Sequence, residues 1–565
     1  MSDATAGNLS QAAADARRED AEQTGPMLAA DGRPLKQSLN RALRAQKLRA
    51  MALIAPLLLF LLITFVAPIF DMLFRSVENQ IVSETLPRTV IALEDWDASD
   101  LPSEDTYAAL AYDMQEAVER RRHTRLGSRL NYEQTGLSSI FRRSGRGMDD
   151  VGAAYAEQFI DLDAAWEEPA TWMSLVAHPD WIEAQAEWAA TEDDDLPEPT
   201  FRLASGIDEI LPETADAYRS FALTIQTAGR RPDSPVEEEP WNTVYLGLYR
   251  DLAAAPPGAF DTYDGPEAAR LATAADAVAE FETVNLRETF GEIEEGWAEM
   301  PIWATLETFS DPFTAGYFLA SVDLQLTPQG IEQVEENQRI YLLLFQRTMV
   351  LSLTIMGLCV LLGYPIAYLL SNLPMRASNM LLILVLLPFW TSLLVRTSAW
   401  KVLLQQQGVV NDTLVWIGLV ADDGRLALIN NQTGTVIAMT HILLPFMILP
   451  LYSVMKTIPP SYVRAAKSLG ATNWTAFWRV YFPQSMPGIG AGCILVFILS
   501  IGYYITPELV GGRTGIFISN RIAFHISDSL NWGLAAALGS ILLILVLILY
   551  WLYDRIVGID NVKLG

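Results

Sequence analysis

The feature that most constrains this chain is a series of long apolar runs. Residues 51–70, MALIAPLLLFLLITFVAPIF, contain no charged residue. About 20 apolar residues are enough to cross the ~30 Å hydrocarbon core of a bilayer as a helix. Core helices of a soluble protein would be interrupted by charges at the helical period, and these runs are not. The sequence therefore predicts an all-α membrane protein with six transmembrane helices, at residues 51–70, 349–370, 380–395, 434–455, 487–507 and 533–552.

The charge of the chain is concentrated between the first and the second of these runs. Residues 76–340 contain 53 Asp and Glu, 17 Arg and no Lys, whereas the whole chain has a net charge of −28. Segments 107–122 and 266–284 show the apolar spacing of amphipathic helices, and Pro-rich breaks at 231–240 and 255–257 end helices. We therefore expect a large, mostly helical acidic insertion in the first outer loop.

Positive charges next to the runs predict the orientation. Before the first run lie Arg33, Lys36, Arg41, Arg44, Lys47 and Arg49. Positive charge beside a span stays in the cytoplasm, so both termini are predicted to be cytoplasmic. Four parts follow: a cytoplasmic, partly disordered N-terminal tail (1–50), the first transmembrane helix (51–75), an acidic extracytoplasmic insertion domain (76–340), and a five-helix core (341–565) with a cytoplasmic loop at 456–486.

Within that loop, residues 459–486 read PPSYVRAAKSLGATNWTAFWRVYFPQSM. Ser461 can cap a helix that ends at Gly470, where the backbone is permissive. Thr472 or Asn473 can cap a second short helix, which Pro483 should stop. An elbow of two such helices with an apolar edge and a basic rim fits a groove on another protein. The alternative is an ordinary basic loop, as the positive-inside rule predicts for any multispan protein.

The spacing Ala465-Ala466, Gly470 and Val480-Tyr481-Phe482-Pro483 resembles the "EAA" loop of ATP-binding-cassette (ABC) importer permeases. In that family the pattern is Glu-Ala-Ala, three residues, Gly, nine residues, Ile, any residue, Leu-Pro. This chain departs from it at the first position, where Arg464 replaces the Glu, so a salt bridge from that Glu to the ATPase cannot be carried over. The resemblance implies an ATPase-coupling loop with coupling helices, containing Arg464, Ala465, Ala466, Gly470, Trp474, Trp478 and Pro483. Segments 363–371, 386–404, 443–455 and 485–492 are similar to the polyamine-type branch of these permeases.

The resemblance also implies partners. The chain has no Gly-Lys dipeptide, so it cannot contain a P-loop with the G-x-x-x-x-G-K-[ST] motif. We therefore expect a non-enzymatic permease subunit that binds no cofactor or metal, with ATP bound by a partner. The implied partners are two ATP-binding subunits, a second permease subunit, an extracytoplasmic substrate-binding protein and membrane lipid, with no nucleic acid, in a bacterial inner membrane.

Two groups of residues are candidates for a substrate pathway: Trp390, Thr391 and Arg396 near the outer end of the third run, and Tyr503, Tyr504 and Glu508 at the outer end of the fifth. Aromatic rings beside a carboxylate suit a cation, and the alternative is an interfacial aromatic belt. His441, Cys359 and Cys493 are expected to be packing residues. The best prediction is polyamine import, with ferric iron, thiamine or a modified amino acid as alternatives. A secondary transporter is disfavoured because the span cores lack Asp and Glu.

Overall fold

The computed structural model describes residues 35–191, 197–227, 234–256, 258–260 and 263–557. Residues 1–34, most of the predicted disordered tail, lie outside the described residues, as does Lys563 near the C-terminus. The chain divides after Phe74 into two compact units, which are described separately.

The first unit is built on one long helix. α1 (Leu35–Leu61) is followed by a π-helical turn (Leu62–Val66) and by α2 (Ala67–Arg75). Residues Lys47–Arg75 are long and apolar enough to span a membrane. The helix begins well before the predicted span at residue 51, because LNRALRAQKLR is rich in strong helix formers and contains no Gly or Pro.

The second unit begins with the acidic segment, which is mostly helical as predicted. Its helices are α3 (Ile81–Thr85), α4 (Pro87–Leu93), α5 (Glu104–Glu119), α6 (His123–Leu130), α7 (Leu137–Ser144), α8 (Ala153–Leu162), α9 (Pro169–Val176), α10 (Pro179–Ala189), α11 (Ile207–Ile210), α12 (Pro212–Thr227), α13 (Asn242–Ala254), α14 (Ala268–Ala277), α15 (Leu286–Ile293), α16 (Met300–Thr308) and α17 (Gly316–Ala320). Short 3₁₀ turns lie at Met148–Asp150, Ala164–Trp166, Val278–Glu280, Glu295–Ala298 and Glu336–Gln338. β1 (Leu324–Thr327) and β2 (Gly330–Gln333) pair antiparallel, with Leu324 opposite Gln333 and Thr327 opposite Gly330.

The acidic segment has a large aromatic core of its own. Four tryptophans, Trp166, Trp172, Trp297 and Trp303, are fully buried. The amphipathic helix predicted at 107–122 is confirmed by α5, whereas the one predicted at 266–284 is wrong in length, because α14 ends at Ala277 with one 3₁₀ turn after it. Beyond that turn the side chain of Gln158 accepts the backbone N–H of Glu282 at 2.6 Å, so tertiary contacts take the backbone away from the helix.

The remaining helices are apolar and longer. They are α18 (Tyr341–Asn372), α19 (Met375–Leu386), α20 (Leu393–Leu403), α21 (Val409–Trp416), α22 (Gln432–Thr457), α23 (Pro460–Ser468), α24 (Asn473–Ala476), α25 (Phe482–Gly502), α26 (Ile505–Val510), α27 (Gly512–Gly515), α28 (Ile518–Ser527) and α29 (Trp532–Val557), with a 3₁₀ turn at Asp422–Gly424. α18, α22 and α25 pack together around Ile355, Leu443 and Val496. Gly492 lets α25 approach Met447 closely, because a Cβ there would meet the Met447 side chain.

The third predicted span, 380–395, is not one straight helix. Met375–Trp390 and Leu393–Leu403 meet at an angle of 94°. A 3₁₀ turn (Leu387–Trp390) containing Pro388 ends the first part, and Thr391 and Ser392 adopt extended backbone conformations. The described residues thus contain five uninterrupted helices long and apolar enough to cross a membrane, or six if the bent pair counts as one.

The acidic segment is attached to the apolar helices through α17. The Tyr317 ring lies against Gly533 at the start of α29, where a Cβ would clash with it. Arg129 donates from Nε to the Tyr317 hydroxyl at 2.8 Å and pairs with Glu133 at 2.6 Å. Asp323 accepts the backbone N–H groups of Tyr341 and Leu342 at 2.9 Å each, which caps α18. The junction is therefore packed and hydrogen-bonded.

Candidate coupling surface and outer mouth

The first helix of the predicted elbow is α23, and its start differs from the prediction. Pro459 occupies the cap position and Pro460 the first turn, so Ser461 does not cap this helix. Pro460 suits this position because its φ is preset and its missing N–H would have no partner there. The predicted end is confirmed: Gly470 has φ +92°.

Two backbone hydrogen bonds close this end. Gly470 N–H donates to the Lys467 carbonyl and Ala471 N–H to the Ala466 carbonyl, each at 3.0 Å. This pair of bonds is the Schellman motif, which needs a left-handed residue at the position of Gly470. The motif turns the chain sharply toward α24.

The second helix of the elbow is not a separate short helix, so the prediction that Pro483 ends it is wrong. Thr472 caps α24 by accepting the Thr475 N–H at 3.2 Å, as predicted. α24 continues through a π-helical turn (Phe477–Tyr481) into α25, giving one helix from Asn473 to Gly502. Pro483 lies in the first turn of α25, directly after the wider π turn, in which Phe482 N–H donates to the Phe477 carbonyl. The π turn accommodates Pro483, which has no backbone N–H to donate to the preceding turn.

The outer side of the elbow is an exposed apolar surface with basic neighbours. Leu469 is 90% exposed and Trp474 is 72% exposed. Arg464, Ala465, Gly470 and Pro483 are also exposed, Trp478 is partly exposed, and Ala466 is half-buried. We call Leu469, Trp474 and Trp478 with these neighbours the elbow surface. Two large apolar side chains this exposed are typical of a protein-binding site.

The inner side of the elbow packs on α18 through five aromatic rings, here called the aromatic cluster: Phe477, Tyr481 and Phe482 of the elbow, and Tyr364 and Tyr368 of α18. Tyr368 lies 5.8 Å from Phe477 and 5.2 Å from Tyr481, both edge-on. The Tyr364 and Ser485 hydroxyls are 3.0 Å apart, and those of Tyr481 and Ser371 are 3.2 Å apart. The sequence predicted the elbow but missed this cluster, although Tyr364 and Tyr368 share one face of a helix by their spacing.

At the other end of the spans, the structure brings the two candidate pathway groups close together. α20, which carries Arg396, packs on α26, and the hydroxyls of Thr397 and Thr506 are 3.2 Å apart. Trp390 and Thr391 lie at the bend before α20 and are exposed. Arg396 donates to the Thr391 carbonyl at 3.3 Å, and its Nε is buried without a hydrogen-bond partner among the described residues.

The second pathway group lies between α25 and the end of α26 and contacts α28. Asn520 donates to the Glu508 carboxylate at 2.6 Å and to the Tyr504 carbonyl at 2.9 Å. The Ser519 hydroxyl donates to the Tyr503 carbonyl at 2.7 Å. No ion pair joins Arg396 to Glu508 within the part of the chain that the structure describes. Glu508 and Tyr504 are exposed, so this end of the helices presents one carboxylate beside an aromatic ring.

Two histidines near this end of the helices make local hydrogen bonds. His441 accepts a hydrogen bond from the Trp400 indole at 3.1 Å, as expected for a packing residue. His525 lies between the Tyr341 hydroxyl at 3.0 Å and the Ser529 hydroxyl at 2.8 Å. Burial, with a smaller contribution from Arg521, lowers the pKa of His525 to about 4. Across the described residues, no group of three or more His, Cys, Asp and Glu could hold a metal ion.

Long apolar helices around a packed core, with an exposed apolar elbow between two of them, define a multispan membrane protein. Residues 349–557 match the family model of the binding-protein-dependent transport system inner membrane component. The spermidine/putrescine transport system permease protein PotB of Escherichia coli is 35% identical over 203 residues, which are 35% of this chain and 73% of that protein. The chain therefore belongs to this family of ABC importer permeases and is similar to its polyamine branch.

Two further relatives show the breadth of the similarity. The inner membrane ABC transporter permease protein YdcU of Escherichia coli is 30% identical over 281 residues, 48% of this chain and 87% of that protein. The molybdenum transport system permease protein ModB of Mycobacterium bovis is 29% identical over 188 residues, 33% of this chain and 69% of that protein. The relatives of this chain thus include permeases named for different solutes.

Proposed function

We propose that this chain is the membrane-spanning subunit of an ATP-driven importer, which moves a small solute by alternating access. The observation that carries the proposal is the elbow surface, within a segment that matches the permease family. An ATPase closing on ATP would push this surface, and the aromatic cluster would pass the movement to α18. In this proposal the bent pair Met375–Leu403 crosses the membrane as a broken span, which makes six spans.

The partners and orientation follow from the same proposal. Two ATP-binding subunits would dock on the elbow surfaces of this chain and of a second permease subunit, and ATP would be hydrolysed only there. A substrate-binding protein would deliver the solute from outside. Both termini and the elbow are placed in the cytoplasm by the positive-inside rule, which makes residues 76–340 an acidic insertion in the first outer loop.

A polyamine is the substrate class that we favour. The permease PotB, named for spermidine and putrescine, supports this at 35% identity. Tyr503, Tyr504 and Glu508 offer aromatic faces and a carboxylate, which suit an ammonium group. The strongly acidic outer segment favours a cation further. Arg396 opposes a cation, so the path would have to pass on the Glu508 side. Ferric iron, thiamine or a modified amino acid remain alternatives for the same machinery.

The proposed docking is tested by Trp474→Asp in the full chain, expressed together with its ATPase. A charge in the centre of the elbow surface should abolish copurification of the ATPase. Trp416→Asp is the matched control, because Trp416 is 85% exposed but lies on α21, away from the elbow. Equal copurification from the two variants would contradict docking through the elbow surface, whereas the absence of any copurifying ATPase from the wild type would favour a secondary transporter.

The substrate is tested separately by titrating the binding protein that copurifies with this permease. We expect tight binding of putrescine or spermidine. Tight binding of an anion or a sugar, with no affinity for diamines, would end the polyamine proposal and leave the importer proposal intact.

A further inference from the structure

The acidic segment contains the same helix start twice. Leu86-Pro87-Arg88-Thr89 opens α4, and Leu211-Pro212-Glu213-Thr214 opens α12. The Thr89 backbone N–H and hydroxyl donate to buried Asp113 at 2.7 and 2.8 Å, and those of Thr214 donate to buried Asp251 at 2.7 and 2.6 Å. Each aspartate stabilises the positive end of one of these helices in the same way.

A pair of buried tryptophans also occurs twice, with the same geometry. The Trp172 indole donates to the Trp166 carbonyl at 2.7 Å, and the Trp303 indole donates to the Trp297 carbonyl at 3.0 Å. The rings of the first pair are 5.2 Å apart at 55°, and those of the second are 5.4 Å apart at 57°. In both copies a 3₁₀ turn holds the first tryptophan, and a helix with Pro in its first turn holds the second.

Tyr107 and Tyr245 connect the first and second halves of the acidic segment to each other. Tyr107 precedes Asp113, and Tyr245 precedes Asp251, by the same six residues. The Tyr107 hydroxyl donates to the Trp297 carbonyl at 2.6 Å, whereas the Tyr245 hydroxyl donates to the Trp166 carbonyl at 2.8 Å. Tyr107, in the first half of the acidic segment, thus completes the tryptophan pair of the second half. Tyr245, in the second half, completes the tryptophan pair of the first half.

The backbone repeats this exchange at the ends of the two copies. An isolated β-bridge joins Glu78, before α3, to Phe313, after α16. A second bridge joins Leu203, before α11, to Ala177, after α9. The segment before α3, at the start of the first half, therefore pairs with the segment after α16, at the end of the second half. The segment before α11, at the start of the second half, pairs with the segment after α9 in the first half. A contact made in both directions between corresponding segments is the signature of a two-fold interface.

We propose that the acidic domain is an internal duplication, in which residues 76–191 and 197–314 are two copies of one helical unit that dock on each other as a homodimer would. The matched order of helices is α4, α5, α8 and α9 in the first copy and α12, α13, α15 and α16 in the second. Each copy supplies the tyrosine that the core of the other lacks. The partner that fits the docking face of one unit is thus a second copy of the same unit.

Charge differences between the copies select this pairing. Arg88 of the first copy pairs with Asp216 of the second at 2.6 Å, and Asp105 of the first pairs with Arg250 of the second at 2.7 Å. If two first copies met, the positions of Asp216 and Arg250 would be held by Ile91 and Tyr112, and both ion pairs would be lost. The first copy therefore prefers the second copy of its own chain over a first copy of a neighbouring chain.

The proposal is tested in the full chain by hydrogen exchange, with Tyr245→Phe and Tyr107→Phe as a matched pair. Each substitution removes one hydroxyl, so the opposite tryptophan carbonyl keeps the indole donor and loses the tyrosine donor. We expect amide exchange to become roughly five- to tenfold faster in the helix of the opposite copy, Pro169–Val176 for Tyr245→Phe and Met300–Thr308 for Tyr107→Phe.

The outcomes separate clearly. Acceleration in both copies by either variant also supports the proposal, because neither core would survive alone. Acceleration confined to the copy that carries the substitution would overturn it. An effect from only one of the two variants would overturn the equivalence of the copies.

Discussion

At the scale of single residues, the left-handed backbone of Gly470 is the sharpest test of the elbow. Gly470 has φ +92°, and a Cβ there would meet no atom within 4 Å, so a side chain would cost backbone strain and not a clash. For an L-residue this costs about 1–2 kcal/mol. We expect Gly470→Val to reshape the turn that aims the elbow surface. Uptake should fall severalfold while membrane insertion stays unchanged, as measured in vesicles with a quantitative immunoblot.

Gly418 provides the matched control. It has φ +77° with equally open surroundings, but it follows α21 and not the elbow. Gly418→Val carries similar backbone strain, and uptake should remain close to wild type. Wild-type uptake in Gly470→Val, or an equal loss in both variants, would contradict a special role of Gly470.

Asp113 gives the acidic domain a defined pH dependence. Burial raises the pKa of Asp113 to about 6, against the opposing effect of Thr89 and Arg88. Between the unfolded value near 3.8 and about pH 6, the folded chain holds a proton that the unfolded chain has released. The contribution of Asp113 to stability therefore falls as pH rises through this window, by about 2–3 kcal/mol in all.

Tryptophan fluorescence during denaturation measures this effect, with Asp113→Asn as the comparison. The free energy of unfolding of wild type minus that of Asp113→Asn should fall as pH rises from 4 to 6 and then stay constant. A difference that does not change with pH would show that Asp113 does not titrate in this window.

At the scale of secondary-structure elements, the aromatic cluster is the connection between the elbow and α18. Each edge-on ring pair contributes about 0.5–1.5 kcal/mol beyond the area that it buries. We expect Tyr368→Leu to leave the elbow surface and ATPase copurification intact, because Tyr368 lies behind that surface. Uptake per ATP hydrolysed should fall severalfold, since movement of α25 would no longer be passed fully to α18.

Tyr368→Phe is the control, because it keeps both ring contacts, to Phe477 and Tyr481. Transport and ATPase activity in proteoliposomes give the coupling ratio. If Tyr368→Leu retained the wild-type ratio, or Tyr368→Phe lost it, the ring contacts would not carry the movement.

At the scale of the whole molecule, the first and last residues of the acidic domain lie side by side. Asn79 N–H donates to the Pro312 carbonyl and Thr314 N–H to the Val77 carbonyl, each at 2.8 Å. Deleting residues 80–311 should therefore join two neighbouring strands without moving the rest. We expect reduced uptake of a cationic substrate at low ionic strength, because the domain no longer raises the local cation concentration.

The difference between the deletion and the wild type should vanish near 1 M salt, where the screening length is about 3 Å. Initial uptake rates across a salt series measure it. Uptake and salt dependence equal to the wild type would mean that the acidic surface only keeps the domain soluble.

Local features of the sequence account for much of this picture. The sequence alone shows apolar runs of membrane length, an acidic block without lysine and a glycine at position 470. The structure contains the corresponding helices and turn. The prediction of a stop at Pro483 failed because a π turn, which depends on packing against α18, accommodates the proline. Repeated Leu-Pro-x-Thr segments were the available signal for the duplication, and periodicity within single helices does not reveal it.

The sequence by itself determined which segments are apolar enough to span a membrane, where charge accumulates and where the elbow turns, because these depend on residues near one another in the chain. Only the tertiary structure decided the 94° bend in the third span, the aromatic cluster behind the elbow and the exchange of Tyr107 and Tyr245 between two tryptophan pairs. These features join residues far apart in the chain, and a side chain carries no local record of the distant partner that completes its hydrogen bonds and packing.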